Sequence, residues 1–366
     1  MFADRRSSRT LAATADTRPS TARRRFLIRL AAPAAAGLVA LLTASAGGWA
    51  AEPLGGNWTC AAVQMLTGQE GGTPPVVTTV CLQPNGGLLA AGGDDHRIYL
   101  CDVVSGRTVK QLVGHEDWVH AVKFSADGRL LASAGHDGRV MLWDPVTGES
   151  ICVLDEGCAA VTELAWSSDG TKLATSGFSA QVRLYDIAAR KLVGELQGPC
   201  EDLRALSFSP DGQSLAAGGR NGKLRIWHLG SGQSAEEYTA HQGRIRALAF
   251  SPKGDLLASS GEDGKVYVWS VASRSGQNLP RRPAKIFSLA FISDTELAAG
   301  GSDNLIRLWD LTKGEELGQL SGHQGSVMSL DCNGQVLVSG SYDTVVRIWT
   351  MKDNVARAPR PTTELK

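Results

Sequence analysis

Histidine, serine and aspartate are the residue types of a nucleophilic hydrolase, and this chain carries them three times at matched spacing. His115, Ser133 and Asp137 form the first set, His241, Ser259 and Asp263 the second, and His323, Ser339 and Asp343 the third. In acyl transfer a histidine takes the proton of one activated serine, an acid orients the histidine, and an oxyanion hole stands beside them. Here each set is followed, six residues after its aspartate, by an indole donor: Trp143, Trp269 or Trp349. Three copies at matching turn positions do not make one active site. They fit a buried hydrogen-bond chain, in which each donor finds an acceptor and the satisfied network favours one packing. The expected role of all twelve residues is structural, with no catalytic group and no cofactor.

The elements that must position these residues are written in the spacing of seven strand endings. The closing dipeptides are Cys101-Asp102, Trp143-Asp144, Tyr185-Asp186, Trp227-His228, Trp269-Ser270, Trp309-Asp310 and Trp349-Thr350, separated by 42, 42, 42, 42, 40 and 40 residues. A period of about 40–45 residues with a Trp-Asp ending marks a repeat whose units cannot bury their apolar faces alone. In the best-formed unit, Trp118–Phe124 alternates apolar and polar residues as a half-buried strand does. Asp127-Gly128, Asp137-Gly138 and Thr147-Gly148 then separate three further strands. Four short antiparallel strands per unit make one propeller blade. The seventh unit ends at Trp349 without a fourth strand. Ala61–Leu66 before Thr67-Gly68-Gln69 lines up with Arg107–Leu112 before Val113-Gly114-His115, so an early strand at about 58–67 can complete that blade. Closure of this kind removes an open sheet edge.

This pattern is similar to the WD-repeat (WD40) family of seven-bladed β-propellers, over most of the chain. The resemblance implies an all-β ring spanning 55–353, a scaffold that binds other proteins through its upper rim without doing chemistry. It also implies links from Asp to His to Ser to Trp within a blade. Four units lack the full set: Gly157 and Ser179 replace His and Asp in one, and Cys101 replaces Trp in another. Those blades are expected to depend more on apolar packing and to be less stable.

The family's contact positions lie three and five residues after the Gly-His histidine and one before the turn aspartate. Carried over, they give Trp118, His120 and His136 in the second unit, Phe178 in the third, and Arg204 and Arg220 in the fourth. They give Arg244 and Arg246 in the fifth, Lys285 and Phe287 in the sixth, and Met328 and Tyr342 in the seventh. The arginines and Lys285 form a basic sector, next to large apolar groups that the fold does not require. Aromatic and arginine side chains anchor interfaces, and a basic sector favours an acidic segment of a partner protein. Pairing with Asp202 and Glu262 is the competing use of these cations.

Charge and the N-terminus bound the rest. The 37 basic and 37 acidic residues cancel, but residues 1–46 hold eight Arg and two acids, which leaves the remainder at −6. A body of that sign is a poor nucleic-acid binder, because such affinity rests on phosphate neutralisation. Ala22–Leu30, rich in Arg, runs into an Ala/Leu/Gly segment, which reads as a secretory signal within residues 1–50. Arg23-Arg24-x-Phe26-Leu27 resembles the twin-arginine (Tat) consensus, from which Ala22 and Ile28 depart, and cleavage would follow Ala46 or Ala50. An uncleaved inner-membrane anchor is the alternative, though the apolar run is short for a span of roughly 20 residues. The expected place is the periplasm or cell envelope, and the expected state a monomer. Residues 354–366 are polar and read as a disordered tail. The seven cysteines include no Cys-x-x-Cys pair, which gives a metal site no support. Cys158 and Cys200 sit one period apart, too far for a bridge across neighbouring blades. An enzymatic or small-ligand propeller remains the main alternative to a protein scaffold.

Overall fold

The computed structural model describes residues 58–66, 73–84, 86–156, 159–230 and 234–351. The signal-like segment, the tail after 351, Gly157 and Cys158 lie outside the described residues. The described strands form seven four-stranded antiparallel sheets. In the second blade these are Val119–Phe124, Leu131–Gly135, Val140–Trp143 and Ser150–Asp155, ordered from the central channel outwards. The hairpin between the first two turns at Gly128, whose φ of 69° lies in the left-handed region open to glycine. The seventh sheet takes its outer strand from the other end of the chain. Trp58–Met65 pairs antiparallel with Val345–Met351, and Trp58 is buried beside Leu308, Leu337 and Trp349.

Blades are fastened to each other by one branched side chain apiece. The first residue of every inner strand (Val77, Val119, Val161, Leu203, Ile245, Ile286 and Val327) is buried. At four seams it sits against a glycine on the second strand of the blade before. A Cβ on Gly92 would meet Val119 Cγ1 at 2.8 Å, and one on Gly218 would meet Ile245 Cδ1 at 2.9 Å. The same holds for Gly300 with Val327 at 2.7 Å and Gly340 with Val77 at 2.6 Å. The last of these joins the seventh blade to the first and so closes the ring.

The wedge has a second consequence. In all seven blades the pairing of inner and second strands slips by one residue directly after the wedge, as between Val119 and Ala121. Such a bulge leaves one residue unpaired and re-aims its side chain. The unpaired residues are Thr78, His120, Thr162, Arg204, Arg246, Phe287 and Met328.

Gly340→Ala should overpack the closing seam and destabilise the protein by about 1–3 kcal/mol. Gly194→Ala, on an outer strand with nothing within 4 Å of the added carbon, should leave the melting temperature nearly unchanged. Thermal denaturation of the two variants checks the contrast.

Candidate functional site

The three His/Ser/Asp sets are built into the blades as follows. In the second blade His115 Nδ1 lies 2.8 Å from Asp137 Oδ2 and Nε2 lies 2.7 Å from Ser133 Oγ. The Trp143 indole donates to the same Oγ at 2.8 Å. The N–H groups of Glu116 and Arg139 also donate to Asp137, at 2.9 and 3.0 Å. Burial alone would raise the Asp137 carboxyl, but the hydrogen bonds from His115 and Glu116 outweigh it and hold the group below the usual carboxylate range. With Asp137 ionised, Nδ1–H donates to it, so Nε2 accepts the serine proton and Oγ accepts the indole. Ser133 is fully buried, and both its proton and its oxygen are engaged. The seventh blade repeats the chain through His323, Asp343, Ser339 and Trp349 at 2.9, 2.7 and 2.9 Å.

The fifth blade departs from the sequence expectation. His241 bonds Asp263 at 3.0 Å and Ser259 at 2.9 Å, but Trp269 makes no hydrogen bond to Ser259. Its ring lies instead against Tyr238 and Tyr267, with centroids 4.4 and 5.9 Å away. The outer strand there, Ser275–Asn278, is only four residues long and fully exposed, so the tyrosines cover the ring that a longer strand would cover.

Blades without the full set carry other polar links beside their apolar packing. In the first, the Tyr99 hydroxyl donates to Asp95. In the third, Tyr185 and Arg183 both converge on Asp155, the arginine at 2.8 Å. Asn221 donates to the Pro199 carbonyl at 3.0 Å in the fourth. In the sixth, Arg282 bonds Glu316 at 2.5 Å and stands 5.8 Å over the Trp309 ring, while Arg307 pairs with Asp303.

The upper mouth of the channel is where the predicted contact residues gather, and they form two tiers. All seven bulge residues line a cavity of about 190 Å³, together with Trp118 and Tyr342. Thr78 and Thr162 spend their hydroxyls on the carbonyls of Val119 and Leu203 in the next blade, at 2.5 and 2.8 Å. Around the cavity stand His136, Phe178, Arg220, Arg244 and Lys285. Trp118, His120, His136 and Phe178 form a chain of edge-to-face ring contacts with centroids 5.6–6.5 Å apart. Burial, with Arg204 and His136 nearby, lowers the His120 pKa to about 4, so this imidazole is neutral at pH 7.

The basic sector is partly neutralised. Asp202 holds Arg204 at 2.5 Å and Arg244 at 2.7 Å, and Glu262 lies 3.3 Å from Arg244, 3.7 Å from Arg246 and 3.5 Å from Lys285. Two carboxylates therefore serve four cations. Arg220 is exposed and takes part in none of these pairs. Arg204 is braced over Phe178 at 4.4 Å and Arg246 over Phe287 at 5.1 Å.

Below this cavity lies a waist that sequence reasoning missed. Leu206, Leu248, Leu289, Leu330 and Lys123 border both the upper cavity and a lower one of about 360 Å³ lined by Trp166, Phe208, Phe250 and Phe291. Lys123 Nζ stands 4.0 Å from Glu163 Oε1. Burial opposes the lysine charge, but Glu163, Cys81 and Asp331 outweigh it and hold the amine above its usual value. Positions equivalent to Lys123 hold Cys81, Ala165, Ser207, Ala249, Ala290 and Asp331, and those equivalent to Glu163 hold Thr79, Ala121, Ala205, Ala247, Ser288 and Ser329. Aligning the repeats by these columns would have exposed both charges.

With the geometry in hand, the class is plain: a seven-bladed propeller of WD repeats. The chain belongs to the WD40 family, "WD domain, G-beta repeat", matched at residues 60–102, 106–144, 148–186, 190–228, 232–270, 277–310 and 314–350. It is similar to Mitochondrial division protein 1 of Mycosarcoma maydis, 40% identical over 55 residues, which is 15% of this chain and 7% of that protein. Ribosome biogenesis protein YTM1 of Eremothecium gossypii is 36% identical over 88 residues, 20% of each chain. Cell division control protein 4 of Saccharomyces cerevisiae is 43% identical over 60 residues, 16% of this chain and 8% of that one. The matched segments span a fifth or less of these relatives' length. Members of the family typically mediate protein–protein interaction.

Trp143→Phe removes the donor to a buried serine and should cost about 1–3 kcal/mol. Trp269→Phe loses no such bond and should cost clearly less. Chemical denaturation of both variants measures the difference, and equal losses would show that the indole bond adds nothing.

Proposed function

We propose that this protein is a non-enzymatic scaffold whose upper mouth binds a segment of another protein, acidic in character, and that it does so in the cell envelope after export. The observation that carries the reading is where the exposed rings lie. Among the described residues the exposed aromatic side chains are Trp118 at 44%, Phe178 at 37% and Tyr342 at 47%, and all three stand at the upper mouth. Rings left in water next to arginines are the composition of an interface core rather than of an ordinary surface. The surplus of cations over Asp202 and Glu262 favours an acidic complement. Against an enzyme, Ser133 and Ser339 are buried, with hydroxyls committed to His and Trp.

Export is supported by the N-terminal residues alone: an arginine cluster, a moderately apolar run and small residues before Ala46 and Ala50. N-terminal sequencing of the protein recovered from its own host should begin after one of these alanines. A chain starting at Met1 in the membrane fraction would make it an anchored scaffold instead.

For the binding face, partners co-purified from envelope fractions are compared between the wild type and a Trp118→Ala, Tyr342→Ala double variant. Loss of two exposed anchors should cut specific partner recovery by about tenfold or more while leaving the fold intact. Undiminished recovery would move the partner site elsewhere.

A further inference from the structure

We propose that the cavity at the upper mouth is a carboxylate pocket, in which Arg204 and Arg246 grip one glutamate or aspartate side chain of the partner's segment. The inference rests on reading the upper face as the partner face and specifies the chemistry at its centre.

Arg246 carries the argument. Its side chain is only 21% exposed, yet it donates no hydrogen bond to any described residue. Its one carboxylate neighbour, Glu262, stands 3.7 Å away and is shared with Arg244 and Lys285. A guanidinium offers five N–H donors in a planar fork, and those of Arg246 are left to the solvent of the cavity rather than to a protein acceptor. Its guanidinium carbon stands 5.1 Å over the Phe287 ring, and both side chains line the cavity. Arg204 borders the same cavity, its guanidinium carbon 4.4 Å from the centre of the Phe178 ring and its Nε on Asp202, which leaves its two terminal nitrogens for a ligand. Burial and the nearby Arg204 both disfavour the charge on Arg246, so an anion between the two would relieve their repulsion.

Size and charge narrow the ligand. Pockets for drug-sized molecules run to about 300–1,000 Å³, and about 190 Å³ is room for one side chain rather than a cofactor. Asp202 and Glu262 already offset part of the local charge, which suits a monoanion. Lys123 at the waist is itself offset by Glu163. Bidentate pairing of a carboxylate with arginine supplies geometry as well as charge.

The test titrates the full chain with a synthetic Gly/Ser peptide carrying one glutamate, followed through the arginine Nε–Hε resonances. Parallel arms carry glutamine or phosphoserine in its place. The glutamate peptide should shift the Arg204 and Arg246 signals saturably and bind about tenfold or more tightly than the glutamine peptide. Arg246→Met should weaken it by about tenfold, and Arg129→Ala, in the exposed hairpin turn at the other end of the second blade's inner strand, by less than about twofold. Should Arg246→Met fold poorly, Arg204→Met reads the same contact. Equal binding of the glutamate and glutamine peptides, or wild-type binding by the methionine variants, overturns the pocket. Tighter binding of the phosphoserine peptide by about tenfold overturns its assignment to a carboxylate. If partner recovery falls in the aromatic double variant but the glutamate peptide is inert, the face stands and the pocket falls. If the peptide binds while recovery is unchanged, the pocket stands and the partner face falls.

Discussion

Each blade is wedged into the blade before it by one branched side chain, and the rest of the molecule follows from that contact. Val119, Ile245, Val327 and Val77 press on Gly92, Gly218, Gly300 and Gly340, where a Cβ would collide. Burying an aliphatic side chain is worth roughly 1.5–3 kcal/mol, and a buried branched residue opens the inner strand of all seven blades. Neither a single blade nor an open row of them could bury all of these groups. The strand Trp58–Met65, borrowed from the far end of the chain, makes the seventh sheet complete, and Val77 on Gly340 makes the last seam like the others.

The same contact shapes the mouth that we propose as the binding surface. Pinning the first inner-strand residue in the seam forces the next one out of the ladder, so a bulge recurs in all seven blades. Seven side chains are thereby aimed at one mouth. Their identity is free to vary because the backbone, not the side chain, holds the position. Two are threonines that tie to the next blade, two are arginines and three are His120, Phe287 and Met328. Stability and recognition are divided between adjacent residues of one strand.

The polar interior shows how a repeat tolerates drift. The Asp–His–Ser–Trp chain is complete in the second and seventh blades, the sixth leaves the Trp309 indole buried without an acceptor among the described residues, and two other blades reach comparable satisfaction with Tyr99–Asp95 and Tyr185–Asp155. What is common to the satisfied blades is that a buried donor ends on an acceptor. The fifth blade solves the same problem differently, shielding Trp269 between two tyrosines.

The sequence by itself determined the architecture, because a period of about 42 residues and its turn residues are local signals that survive without coordinates. It also picked out the candidate contact residues at the mouth, since they sit at fixed offsets within each unit. It could not say that those positions form two tiers, with Arg204, Arg246, Phe287 and Met328 inside the cavity and Phe178, Arg220, Arg244 and Lys285 around it. That depends on the bulge, which is set by a contact between blades. Nor could it say how Asp202 and Glu262 divide themselves among four cations, or that Lys123 and Glu163 meet across two inner strands at the waist. Those are distances set largely between neighbouring units about one repeat apart in the chain, and only the packing of blade on blade fixes them.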